Sequence, residues 1–194
     1  PGPADFDRLG GDLLALLDHF GIARCTYVGL SMGVPTGLHL VAHHPGRVDR
    51  LVLSDGQSAT APGGAETWEG RIADARRLGM QRVADITMER WFSAGFRTAG
   101  GHTKALAAAA ATPLEGYVAC VRALQGYDLT GALGRIAVPT LLLAGADDGP
   151  MPVSMRAMCE AIPGAVLHVV PEAGHIPNVE QAQLFNRHLL EFLG

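Results

Sequence analysis

Cys25-Thr26-Tyr27-Val28-Gly29-Leu30-Ser31-Met32-Gly33 is the stretch around which the rest of the chain falls into order. Cys25 to Leu30 is a short, largely apolar run bounded by turn residues, which reads as a buried strand. Met32 to His44 reads as a helix; Pro35 lies near its start, where a missing N–H is tolerated, and the helix stops before Pro45-Gly46. Between the two sits G-x-S-x-G. A strand that enters a helix through so tight a turn forces its central residue into strained dihedrals, and glycines two positions to either side avoid clashes. Such a turn lifts the Ser31 hydroxyl out at the carboxyl edge of a sheet. It also sets the Met32 N–H at a helix N-terminus, where it can stabilise an oxyanion.

Working outward, Phe6, Leu9, Leu13, Leu16, Leu17 and Phe20 recur at three- and four-residue intervals, so residues 6–20 form an amphipathic helix closed by Gly21. Val48–Ser54, Thr140–Gly145 and Ala165–Val170 are three further strands, with a helix over Met151–Ile162 between the last two. The final helix starts near Asn178, its N-cap, and places Ala182, Phe185, Leu189 and Phe192 on one face. Strands alternating with helical crossovers imply an α/β fold with a parallel sheet covered on both faces. Residues 62–131 interrupt the alternation with helical stretches, the run Ala105 to Ala111 among them. The expected organisation is therefore a core of residues 1–61, a helical cap of 62–131 and a second core segment of 132–194.

The partners of the serine follow in order. The third strand runs into Ala146-Asp147-Asp148, and the fourth into Pro171-Glu172-Ala173-Gly174-His175. A serine becomes a nucleophile when a neutral imidazole accepts its proton, and a carboxylate must fix that imidazole's tautomer and orientation. His175 is the expected base. For the acid, Asp148 is the first choice, with Asp147 and Asp55, the latter at the end of the second strand, as alternatives; Asp147 also suits a turn and Asp55 a loop or helix cap.

The 194 residues suffice for one domain with a sizeable core, without disulfides or metal. A net charge of −4 without long like-charge blocks argues against nucleic acid or an anionic membrane as partner. No apolar run approaches the roughly 20 residues of a membrane helix, and Pro1-Gly2-Pro3-Ala4-Asp5 does not read as a signal peptide. Cys25, Cys120 and Cys159 are widely spaced, so neither a disulfide framework nor a zinc site is expected, and a reducing cytoplasm is the expected location. The cap carries eight basic and seven acidic residues against seven and twelve elsewhere, a balance that suits an anionic small molecule. His43-His44 ends a helix, where cations suit the dipole. His19, His39, His102, His168 and His188 read as surface or satisfied residues.

The elbow, the stretch His44-Pro45-Gly46-Arg47-Val48-Asp49-Arg50-Leu51-Val52-Leu53 and Gly174-His175 together resemble the α/β-hydrolase family. Gly79-Met80, Glu89-Arg90-Trp91-Phe92, Thr112-Pro113-Leu114-Glu115-Gly116-Tyr117 and Ile136-Ala137-Val138-Pro139-Thr140 look more narrowly like the 3-oxoadipate enol-lactonases. The resemblance implies an α/β-hydrolase fold and a cofactor-free hydrolase of the β-ketoadipate route of aromatic-acid breakdown. In it Ser31 attacks the lactone carbonyl, and His175 activates the water that releases the acyl group. An enol leaving group that tautomerises to a ketone favours ring opening. The substrate of that family bears a carboxylate, which calls for a cation from the cap: Arg90 is the candidate, with Trp91 as an apolar wall. The plainer reading, a solvated Arg90 and a core-anchoring Trp91, is preferred on sequence grounds.

Two departures qualify the resemblance. Val34-Pro35 stands where related sequences continue with glycine, so a changed pocket floor or helix packing is expected. The chain also begins after the region that carries the early strands and the second oxyanion donor in that family. The expectation is that a separate chain supplies this region or that the sequence is truncated. Two other readings stay open: an esterase, carbon–carbon bond hydrolase or perhydrolase using the same three residues, and a non-catalytic subunit or fragment.

Overall fold

A computed structural model describes residues 4–194; part of the leader reading, Pro1 to Pro3, lies outside the described residues. Helix α1 (Phe6–His19) is capped by Asp5, whose carboxylate accepts the Arg8 N–H at 2.8 Å. Strand β1 (Cys25–Leu30), helix α2 (Gly33–His43) and strand β2 (Val48–Ser54) follow, and a short 3-10 turn at Pro45–Arg47 joins the last two.

The chain then leaves the sheet for helices α3 (Gly64–Trp91), α4 (Ala94–Thr98), α5 (Thr103–Ala110) and α6 (Leu114–Ala123). Helix α3 is two helices joined at Gly79, whose φ of 79° and ψ of 161° break the helical path. Ile72 of α3 buries itself against Val118 and Val121 of α6, and this small core holds the helical layer together. Strand β3 (Thr140–Gly145), helix α7 (Met151–Ala161), strand β4 (Val166–Val170) and the helices α8 (Pro177–Glu180) and α9 (Ala182–Leu193) complete the chain.

The four strands are parallel and lie in sequence order, β1-β2-β3-β4. Leu30 pairs with Ser54, and Ser54 with Leu143, so the carboxyl ends of β1, β2 and β3 meet at one edge. On one face Leu38 of α2 and Met155 and Met158 of α7 close over Leu51, Leu53 and Leu142. On the other, Phe185 of α9 covers Val52, Leu141 and Leu143. Each of these fully buried aliphatic side chains contributes about 2 kcal/mol of burial free energy.

Three expectations need correction. Among the described residues β1 pairs on one side alone, with β2, and its face away from α2 leaves Thr26 and Val28 exposed; of the strands described, β2 and β3 are covered on both faces. Asn178 caps nothing, because it lies inside α8, which begins at Pro177 and ends where Gln181 turns out of helical geometry (φ −126°, ψ 50°). The proline starts a first short turn, and the long helix begins afresh at Ala182. His39, His102 and His188 each keep a buried Nδ1 without a hydrogen-bond partner among the described residues, so they are not fully satisfied.

Candidate active site

Ser31 sits between β1 and α2 with φ at 55°, the strained conformation that its motif implies. Its N–H donates to Ser54 O at 2.9 Å, which pins the turn to β2. A Cβ on Gly29 would collide with the Gly33 carbonyl and lie 2.6 Å from the Tyr27 ring. The second glycine is different: a Cβ on Gly33 would meet nothing closer than Tyr27 Oη at 3.6 Å. Tyr27 Oη donates to Gly33 O at 2.8 Å, and burial pushes the phenol up to about 12, so it stays a donor across the physiological range. Met32 is the N-cap of α2, at the end where N–H groups have no intrahelical acceptor. Val34 is fully buried against Gly56, where any side chain would strike it; this packing accommodates the departure from glycine at Val34.

The acid and the imidazole arrive from β3 and β4. A Cβ on Gly145 would fall 2.5 Å from Ala173 O, so the absence of a side chain lets the two loops touch. Asp147 N–H donates to Ala173 O at 2.9 Å and Asp148 N–H to Gly145 O at 3.2 Å. These bonds turn the Asp148 carboxylate inward and leave Asp147 exposed. Asp148 Oδ2 lies 2.7 Å from His175 Nδ1, and His175 Nε2 lies 2.8 Å from Ser31 Oγ. A carboxylate so placed selects the imidazole tautomer that holds its proton on Nδ1, and Nε2 is left to accept the serine's.

Asp55 is brought close without joining this series. Its φ is 47° and it is fully buried; Oδ1 accepts the Gly145 N–H and Oδ2 accepts from Ser54 Oγ, both at 2.7 Å. Desolvation raises its pKa to about 7, with Asp148 adding to the shift and the Ser54 and Gly145 hydrogen bonds opposing it.

Ser31, Met32, Asp148 and His175 open into a cavity of about 850 Å³, roofed by the helical layer. Arg90 and Trp91 both line it: Arg90 at an exposed rim, 3.5 Å from Thr87 Oγ1, and Trp91 with its ring 5.9 Å from that of His175. Arg71 was not singled out from the sequence. It lines the same cavity, its guanidinium lies 4.1 Å from the centre of the Trp68 ring, and burial first and Arg90 second hold its pKa below the ordinary value. Trp68-x-x-Arg71 is an i,i+3 pair on one helix face, which is the signal that could have found it. Among the described residues neither Arg71 nor Arg90 reaches a carboxylate. Two cations without counter-ions beside a serine–imidazole pair can hold an anionic molecule there.

A strained serine at a strand–helix turn, an imidazole and an acid at the ends of later strands, and a helical roof define an α/β-hydrolase. The chain belongs to that family: residues 3–182 match the alpha/beta hydrolase fold. It is 38% identical to 3-oxoadipate enol-lactonase 2 of Acinetobacter baylyi, over 98% of this chain and 71% of that protein. It is 31% identical to a protein of Pseudomonas savastanoi pv. phaseolicola named for the carbamate hydrolase RutD, over 98% of this chain and 76% of that one. The crystal structure of the enol-lactonase from Burkholderia xenovorans LB400 superimposes with a TM-score of 0.91 at 34% identity, covering 99% of this chain and 74% of that one. Among the described residues no helix is long and apolar enough to cross a membrane.

Proposed function

We propose that the chain is a serine hydrolase that opens an anionic enol-lactone of the 3-oxoadipate type, in the breakdown of aromatic acids. One observation carries the reading: Ser31 Oγ, His175 and Asp148 are hydrogen-bonded in series on the wall of the cavity that holds Arg71 and Arg90. Likeness to proteins named enol-lactonase supports the choice of acyl group.

In this reading Ser31 Oγ attacks the lactone carbonyl carbon while His175 Nε2 takes its proton. The oxyanion is stabilised by the Met32 N–H. Collapse breaks the ring C–O bond, and the proton on His175 passes to the departing enol oxygen; the enol then tautomerises to the ketone. Water attacks the acyl-enzyme, giving a proton to His175, and the carboxylic acid leaves as Ser31 recovers its own. Asp148 stays ionised throughout and holds His175 Nδ1–H. Arg90 and Arg71 receive the substrate's carboxylate, and Trp91 forms an apolar wall.

The test is a comparison of kcat/KM for the enol-lactone with that for a neutral aryl ester. A preference of at least about tenfold for the lactone, on the order of 1.4 kcal/mol, supports the reading. Parity would reassign the site to another acyl substrate, an ester or a carbamate among them. Turnover that survives Ser31→Ala would remove the serine from the chemistry altogether.

A further inference from the structure

We infer that Glu180 is a positioning residue that locks the helical roof to the loop carrying His175, so that the seat of the base depends on the roof. The inference rests on the proposed role of His175. Glu180 ends the short helix α8, five residues after that histidine. Its two carboxylate oxygens are divided between two parts of the chain. Oε1 accepts the Ser93 N–H at 3.0 Å, just past the end of α3, and Oε2 accepts the Gly174 N–H at 2.9 Å. A third bond closes the junction, from His175 N–H to Trp91 O at 2.9 Å.

Hydrogen bonds from backbone N–H groups to an ionised carboxylate are about twice as strong as neutral ones, and these two are partly buried. The approach is also close. A Cβ on Gly174 would fall 2.6 Å from Trp91 O and 3.5 Å from Glu180 Oε2, so the junction exists because residue 174 has no side chain. On the roof side, Phe92 is buried and stacks on Phe96 at 5.3 Å, which keeps residues 91–93 from giving way. His175 Nε2 must stay within hydrogen-bond reach of Ser31 Oγ, and a shift of about 1 Å in such a base costs on the order of 10²-fold in rate. The backbone leading into the imidazole's Cα, at the Gly174 and His175 N–H groups, is held by two bonds to the roof and its clamp. Arg90 and Trp91, which face the cavity, belong to the same few roof residues. A molecule held by those two side chains therefore bears on the segment that fixes the base.

The test separates the clamp from the chain's overall stability. Ser93 has φ −59° and ψ 153°, and Phe92 before it is extended (φ −128°, ψ 146°), so the backbone at position 93 admits proline, whose Cδ takes the place of the N–H hydrogen and turns Glu180 Oε1 away. Ser93→Pro removes the N–H that Glu180 accepts; Ser93→Ala keeps it. Both lose the Ser93 hydroxyl, which accepts from Phe96 N–H at 3.3 Å, so their difference reads the loss of Glu180's hold on the roof.

Active sites are counted with a fluorophosphonate, and turnover per labelled site is measured on p-nitrophenyl acetate, a neutral ester too small to use the arginines. The expected result is a kcat about tenfold lower in Ser93→Pro than in Ser93→Ala, with KM within about twofold and both variants fully folded at the assay temperature. Glu180→Ala should lower kcat further, and Glu180→Gln should fall between, because its amide nitrogen faces one of the two N–H donors. Equal kcat per labelled site in the two Ser93 variants would overturn the inference while leaving the hydrolase reading intact. A wild type that takes no label at Ser31 would overturn both.

Discussion

Asp55 Oδ1 accepts the Gly145 N–H at 2.7 Å, joining the buried end of β2 to the end of β3 three residues before Asp148. The carboxyl is the fully buried acid of the site, and its pKa rises from 3.8 to about 7, chiefly through desolvation. The unfolded chain releases this proton near pH 4 and the folded one near pH 7. Over that interval the native state binds more protons, so stability falls as pH rises, and the cost is complete above about 7. Asp55→Asn keeps an acceptor for Gly145 and gives a donor to Ser54. Its stability relative to wild type should climb between pH 4 and 7, by about 4 kcal/mol at most, and then level off. Urea unfolding at a series of pH values measures it; a difference that does not change with pH would contradict the burial argument.

Two adjacent acids have opposite surroundings. Asp148→Asn should lower kcat by about 10⁴-fold, because an amide no longer selects the Nδ1–H tautomer of His175. Asp147→Asn should leave kcat within about threefold, since its exposed side chain, at the rim of the cavity, makes no hydrogen bond among the described residues and only its backbone holds the loop. Steady-state kinetics on any accepted ester will distinguish them.

Arg71 is half-buried beside Trp68 without a carboxylate partner, which makes it the cation with most to gain from an anionic substrate. Arg71→Met should cut kcat/KM for a carboxylate-bearing ester by about 10- to 100-fold, mostly through KM. The same substitution should change a neutral ester of equal size less than about threefold. Equal losses on the two substrates would show that the residue supports the roof and not the ligand.

Val34 and Gly56 fill one another's space. A Cβ at position 56 would meet the Val34 side chain and lie 2.8 Å from Ser31 O, so Gly56→Ala should cost about 1–3 kcal/mol. Part of that cost should disappear when Val34 is also changed to Ala, giving a favourable coupling in a double-mutant cycle of unfolding energies. Simple additivity would mean that the strain falls on the Ser31 carbonyl instead.

Much of the frame was legible because its signals are local. Leu51-Val52-Leu53 and Leu141-Leu142-Leu143 are apolar runs on central strands, and such runs announce themselves wherever both faces are buried. The elbow is a local steric requirement, and Asp148 and His175 follow the strands that deliver them. What stayed hidden depends on distant neighbours. The exposure of Thr26 and Val28 depends on what packs beside β1, which its own residues do not encode. Arg71 meets the cavity only through the packing of α3 on α6. The end of α8 reflects a proline start and a glutamate tied to residues 93 and 174, a link spanning 87 positions on one side. Gly33 looked sterically required by its motif, yet the space beside it is open.

The most direct test is mass spectrometry of the intact protein after exposure to a fluorophosphonate, followed by peptide mapping. An activated Ser31, hydrogen-bonded to His175, predicts a single adduct on Ser31 that His175→Ala slows by orders of magnitude. No adduct on Ser31, or one formed equally fast without His175, would contradict the assignment of these residues to nucleophile and base.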